Sequence, residues 1–261
     1  MSNSSPVRYK KFQILCNVVF VLLTIVIIFP FLLMVISSVT DENSLLINGY
    51  RIFPEKLSLS AYRYILQSTG TILRSYGISI LVTAIGTLVS LTLTCLMAYP
   101  LSRKDFRYRN LMAFFVFFTM LFNGGLVSQY IMWTQFFHIK NTLFAYLVPN
   151  LMMSAFNVMI VRNYFANNVP YEIIESARID GAGEWTTLLR IVLPISKPIL
   201  VTIGLMIGLA YWNDWTNGLY YINDPELYTF QNLLIRQTGR IAGSPIRFTG
   251  VSGSFAGYES R

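Results

Sequence analysis

The chain is short of charge. Asp, Glu, Lys and Arg make up 12% of its 261 residues, about half the roughly 25% of an average soluble domain. A soluble body of this length needs more polar surface than that, whereas 54% of the residues are apolar and mean hydropathy is +0.52. These figures exclude an ordinary soluble protein, and with it disorder and collagen-like repeats. Histidine occurs once and cysteine twice, too few for a zinc or iron–sulfur centre or a disulfide scaffold. There is no G-x-x-x-x-G-K-[ST] phosphate loop, so this chain is not an ATP-hydrolysing subunit. Nor does a Ser/His/Asp or Cys/His set exist: His138 stands alone beside Trp133, Phe136 and Phe137, and Cys16 and Cys95 lie in apolar runs. The expectation is a membrane protein without catalytic machinery, metal or cofactor of its own.

Charge-free runs locate the membrane spans, because about 20 apolar residues cross the hydrocarbon and an ionised side chain is costly at its centre. Five such runs predict five transmembrane helices at about 12–36, 75–99, 110–127, 142–161 and 198–220. The first follows basic residues, as a signal peptide would, but it far exceeds a 7–15-residue apolar core and no small-x-small cleavage site follows closely. Lys and Arg in the short loops set the orientation. The N-terminal tail, the loop after span 2 and the stretch between spans 4 and 5 together carry eleven basic and five acidic residues. The opposite face carries nine and seven. The N-terminus is therefore expected in the cytoplasm, and the net charge of +8 reads as a topology signal, not as nucleic-acid binding. The first outward loop is expected to hold a short helix capped by Ser60.

The stretch between spans 4 and 5, residues 168–197, is the most informative. Asn168 can cap a helix whose first turn holds Pro170 and Glu172. Ile173, Ile174 and Ala177 give it one apolar side, and Asp180-Gly181 is a stop, since Gly tolerates the left-handed conformation. A second helix from about Glu184 to Val192 places Trp185, Leu188, Leu189 and Val192 on one stripe, and Pro194 and Pro198 are expected to break it. From pattern alone this is a stiff helix–turn–helix at the membrane surface, either lying in the headgroups or meeting a partner.

The residue order favours a partner. Glu175-Ser176-Ala177, then Gly181, then Ile191-Val192-Leu193-Pro194 resembles the EAA signature of ABC-importer permeases (E-A-A-x3-G-x9-I-x-L-P), with Ser176 as the sole departure. AYPLSRKDF, FFTMLFNGGLVSQY, AFNVMIVRNYF, ARIDGAGEW and GLAYWNDWTNGLYYI resemble the carbohydrate-uptake, MalG-like branch, especially its LplC/YtcP-like group. The resemblance covers about residues 8–237. It implies an all-α permease domain over 1–237 that works with a second permease subunit, a cytoplasmic ATPase dimer that binds ATP and Mg, and an extracellular or periplasmic sugar-binding protein. It also implies an oligosaccharide substrate and a bacterial plasma membrane location. Carried over by position, Glu175, Ser176, Ala177, Asp180 and Gly181 would dock on the ATPase, and Ile191, Leu193 and Pro194 would anchor that lever to the membrane domain.

Sugars are bound by aromatic faces and by amide or carboxylate groups. Span 5 ends in Trp212, Asn213, Asp214, Trp215 and Asn217, which read either as an interfacial aromatic belt or as part of the substrate pathway. Asn123 and Asn157, each within an apolar run, are further pathway candidates, or else hydrogen bonds between helices. Family members have six spans. Here the segment from Asn223 contains no sixth run and reads as a poorly ordered end, so an outward C-terminus is expected, with 238–261 a disordered or non-family tail. The rival readings are a truncated, non-transporting fragment or adaptor and a secondary transporter; the second would need paired ionisable groups at mid-membrane or inverted repeats.

Overall fold

The computed structural model describes residues 6–41, 44–45, 49–54 and 56–241, which fall into two compact units divided between Gly70 and Thr71. In the first, α1 (Pro6–Ser38) carries the first apolar run with Pro30 inside it. Its large side chains, among them Phe12, Leu15, Phe20, Val26 and Met34, are exposed, as befits a helix whose solvent is lipid. Beyond it Thr40 pairs with Leu57 in an isolated bridge. The short helix foreseen at SAYRYIL is α2 (Ser60–Gln67). Its first turn is held by Ser58, not Ser60: the Ser58 hydroxyl accepts the Ser60 N–H at 3.2 Å.

The second apolar run is α3 (Thr69–Ser102). The third divides into α4 (Arg109–Leu121) and α5 (Gly125–Phe136), bent by 110° at the break, and α5 ends in a π-helical turn, Met132–Phe136. The fourth run is not one helix. It holds α6 (Phe144–Leu147) and α7 (Ala155–Asn168), separated by a segment with Pro149 and with Asn150 at φ +63°. Then follow α8 (Tyr171–Ile179), α9 (Glu184–Ile195), α10 (Lys197–Trp212), α11 (Thr216–Tyr221), a 3₁₀ turn at Pro225–Leu227 and α12 (Phe230–Ile241). Among the described residues two helices, Lys10–Ser38 and Thr69–Ser102, are long and apolar enough to cross a membrane singly; counting each bent pair as one gives up to four spans, against the five expected. Among the described residues there is no strand.

Irregular backbone at membrane depth survives only where protein groups satisfy its polar atoms. The broken fourth run obeys this. The Tyr211 hydroxyl donates to the Leu147 carbonyl at 2.9 Å, Asn217 Nδ2 to Pro149 at 3.0 Å, and the Ser90 hydroxyl to Leu151 at 3.3 Å. The break is thus built into the core, which joins α3 (Val82, Ala98, Leu101), α7 (Val158, Val161) and α10 (Ile203, Ile207) around Tyr146, Tyr211 and Tyr221. Close approach of α3 and α10 requires a glycine: a Cβ on Gly86 would stand 2.6 Å from the Tyr211 ring.

The C-terminal stretch differs from expectation. In place of a poorly ordered end, residues 223–241 form the 3₁₀ turn and α12, and α12 packs on α11. Asn232 is fully buried, and Arg236 donates to Asn232 Oδ1 at 3.0 Å and to the Ile222 carbonyl at 2.7 Å while lying 4.6 Å over the Tyr228 ring. A segment rich in Gln, Asn and Arg lacks the apolar run of a span, but it can cap a helix end and fill a polar notch. Residues 242–261, most of the expected tail, lie outside the described residues.

Candidate functional site

The EAA-like segment folds as a helix–turn–helix, with local corrections. Asn168 does not cap α8. It sits in the last turn of α7, its side-chain amide donating to the Tyr164 carbonyl at 3.2 Å, and Pro170 occupies the N-cap position of α8 with extended backbone (ψ 133°). The stop is as foreseen. Gly181 has φ +81°, the Ala182 N–H reaches back to the Ala177 carbonyl at 2.9 Å, and the Gly181 N–H bonds Arg178 at 3.1 Å. This six-to-one and five-to-two pair of bonds is the Schellman closure of a helix.

One side of α8 is anchored: Ile174 and Ala177 are buried, and Ile174 belongs to the main core, so Ala177, expected among the docking residues, faces the protein instead. The other side, with Glu175, Ser176, Asp180 and Gly181, is exposed. Ser176 differs little from alanine in what it offers outward. Its hydroxyl donates to the Glu172 carbonyl at 2.7 Å, so the donor is already engaged.

In α9 the expected single stripe splits. Leu188 and Val192 are buried, at 3% and 1% exposure, whereas Trp185 and Leu189 are exposed at 67% and 58%. The cause is a π-helical turn at Leu188–Val192, whose wider winding departs from the 3.6-residue period. The same turn explains how Pro194 sits inside the helix, which runs one residue further to Ile195 before the expected break, where the next helix is bent from it by 84°. A proline clashes with the carbonyl four residues back and leaves it unbonded, and a widened turn just before it gives room. Leu193 packs on the core, Ile191 is half-buried and Pro194 is exposed.

A charged cluster, absent from the sequence reading as a unit, ties this segment to the Ser102 end of α3. Arg178 Nη2 lies 2.6 Å from Asp105 Oδ2 and 2.9 Å from Glu184 Oε1. Arg103, only 7% exposed, faces the same two carboxylates at 3.4 and 3.8 Å. The Tyr99 hydroxyl donates to Glu184 Oε2 at 2.5 Å, and Arg162 Nε donates to the Leu101 carbonyl at 3.1 Å. Desolvation pushes the Asp105 carboxyl up, but the Arg178 hydrogen bond and the neighbouring guanidinium charges outweigh it and hold it below the usual carboxylate value. Glu184 is also lowered, first by the Tyr99 hydrogen bond and then, against some desolvation, by Arg178. Beside the cluster is a cavity of about 390 Å³, with Leu96, Pro100, Phe106, Trp185 and Leu188 among its walls. The charges of RKDF were visible in sequence, but their partner on α8 lies 73 residues away, and no local spacing links them.

The other candidates are dispersed. Trp212 lines a shallow groove of about 470 Å³ with Ile80, Thr83, Thr87 and Leu91 of α3. Its ring lies 6.3 Å from Tyr76, which stacks on Phe230 at 4.2 Å; Tyr76, Phe230, Thr83 and Thr87 were not singled out from sequence. Asp214 Oδ1 accepts from the Thr216 and Asn217 N–H groups at 3.1 and 3.2 Å, the work of a helix cap. Asn217, buried, holds the Pro149 carbonyl, and Asn213 bonds the Leu209 carbonyl. Asn123 Oδ1 accepts from Gly125 N–H and Gln129 at 3.0 and 3.1 Å, shaping the α4–α5 break. Trp215 is exposed and Asn157 half-buried on α7. Among the described residues, no group of three or more His, Cys, Asp or Glu could hold a metal ion.

Comparison with known proteins gives this geometry a setting. Residues 90–246 match the family described as "Binding-protein-dependent transport system inner membrane component". Protein LplC of Bacillus subtilis is 38% identical over 224 residues, covering 85% of this chain and 75% of LplC. The polygalacturonan/rhamnogalacturonan transport system permease protein YtcP of the same organism is 34% identical, covering 87% and 78%. In fold, the chain is similar to a subunit of a bacterial ABC transporter involved in import of the acidic polysaccharide alginate, with a TM-score of 0.78, 24% identity, and coverage of 93% and 87%.

Proposed function

The chain belongs to the family of binding-protein-dependent transport system inner membrane components, and from there we propose that it docks an ATPase through α8 and admits an oligosaccharide. It is an integral membrane permease subunit of an ABC importer, and ATP hydrolysis belongs to a separate subunit. Importers of this family pair such permeases with an ATPase and a substrate-binding protein. In the arrangement proposed here a second permease completes the pathway, the N-terminus and α8 face the cytoplasm, and the binding protein delivers sugar from the other side.

The observation that carries the docking assignment is the shape of α8. One face is locked by Ile174 and Ala177, and the other, Glu175–Ser176 and Asp180–Gly181, is free and ends in a fixed left-handed turn. A short helix held this way transmits a rigid-body push that a flexible loop would absorb. The exposed Ile179, Trp185 and Leu189 beside it add apolar area for a partner. The sugar assignment is supported by the substrates named for the relatives and by the Tyr76–Trp212–Phe230 ring cluster, of which Trp212 lines the α3 groove.

Glu175→Lys tests docking, because it reverses an exposed charge without touching the buried face. The variant is expected to reach the membrane at the parent level and to lose both ATPase retention on purification and uptake by the host. Normal retention and uptake would remove α8 from the coupling role.

A further inference from the structure

We propose that the cluster Arg103–Asp105–Arg178–Glu184 is a latch that carries movement of α8 into α3, with Arg178 as its positioning residue. The inference rests on the reading of α8 as the ATPase-docking helix.

Chain connectivity alone would transmit such a movement poorly. α8 passes to α9 through Gly181-Ala182-Gly183, and a Cβ at either glycine would meet nothing within 4 Å, so neither glycine position is braced by a neighbouring element. Arg178, in the last turn of α8, spans that weak point by bonding Glu184 at the start of α9. The same guanidinium grips Asp105, three residues beyond the end of α3. Arg103 and Tyr99 hold the two carboxylates from the α3 side. Three elements are therefore clamped through two carboxylates.

Part of the cluster is open to solvent. Arg178 and Glu184 are half-exposed, and exposed ion pairs exchange readily because each contributes little alone. Arg103 keeps Nη1 buried without a hydrogen-bond partner among the described residues. At its far end α3 meets the aromatic cluster: Tyr76 stacks on Phe230, and Ser79 Oγ accepts the Phe230 N–H at 2.9 Å. A continuous helix between the two sites can act as a lever.

The test uses the whole importer in lipid nanodiscs, with Cys16 and Cys95 replaced by serine and spin labels at Leu73 on α3 and Phe144 on α6. Trapping with MgATP and vanadate is expected to change the label separation in the parent. Arg178→Ala and Asp105→Asn should each abolish that change while the ATPase stays attached and hydrolyses ATP. Arg178→Lys should restore at least half of it, and the double variant should be no worse than either single one. A parent without any change, or a full change in Arg178→Ala or Asp105→Asn, would overturn the latch. Glu175→Lys separates the two claims. If it leaves the ATPase attached and the change intact, the docking reading falls and the latch with it. If it detaches the ATPase while Arg178→Ala leaves the change intact, docking stands and the latch falls.

Discussion

Substituting Gly181 isolates the backbone contribution to the coupling turn. The residue has φ +81°, and a Cβ there would meet nothing within 4 Å, so Gly181→Ala adds no clash and its cost is conformational. For a residue with a Cβ, the left-handed region costs about 1–2 kcal/mol. That corresponds to roughly 5–30-fold in the population of the closed turn. Gly183, two residues on, is the matched control. It too has open space around it, but its φ is −72°, which any residue adopts, so Gly183→Ala should be neutral or slightly stabilising. Hydrogen exchange at the Gly181 and Ala182 amides, which close the turn on Arg178 and Ala177, reads the difference directly. Protection should fall about 5–30-fold in Gly181→Ala and hold in Gly183→Ala. Equal protection in the two variants would refute the claim that the left-handed turn, and not side-chain packing, terminates α8.

Other consequences reach the rest of the molecule. Arg236→Ala leaves Asn232 Oδ1 and the Ile222 carbonyl without their donor and should destabilise the purified protein by about 3 kcal/mol, seen as a lower thermal midpoint. Arg236→Lys should fall between the two, and an unchanged midpoint for Arg236→Ala would mean that α12 does not lock α11. Gly86→Ala forces its new methyl into the Tyr211 ring and should cost about 1–3 kcal/mol, whereas Gly204→Ala, whose nearest neighbour is Leu91 at 3.5 Å, should cost far less in the same scan. The carboxyls of Asp105 and Glu184 are held below their ordinary values, so their stabilisation is complete above the unfolded values near ~4 and is lost as pH falls through the folded ones. The difference in thermal midpoint between the parent and Arg178→Ala should therefore be constant from about pH 6 to 8 and shrink below about pH 4. A difference that instead shrinks above pH 6 would contradict the assigned charges.

What could be read from sequence was what depends on local pattern. The apolar runs, the stop at Gly181 and the short helix at Ser60 are statements about neighbouring residues, and the motif spacing from Glu175 to Pro194 led to the family. What could not be read depends on distant partners. Asn168 looks like a cap for α8 until Tyr164 is seen to hold it. The stripe Trp185–Leu188–Leu189–Val192 assumes a 3.6-residue period that the π turn breaks. The fourth run is apolar enough for one helix, yet Tyr211, Asn217 and Ser90, from three other helices, satisfy a break in it. Asn217 and Asp214 carry the residue types of a sugar site, and that they also hold backbone groups shows only in the fold. The Arg178 cluster was invisible for the same reason, since its members come from three elements and Asp105 lies 73 residues from Arg178.

The central claim, that α8 is the surface met by the ATPase, is tested most directly by placing a photo-crosslinking amino acid at Ser176, which is exposed on the free face of α8, and irradiating the intact importer in membranes. The account predicts an adduct with the ATPase subunit that is absent when the same probe sits at Phe136, on α5. No adduct from position 176, or an equal one from position 136, would contradict it.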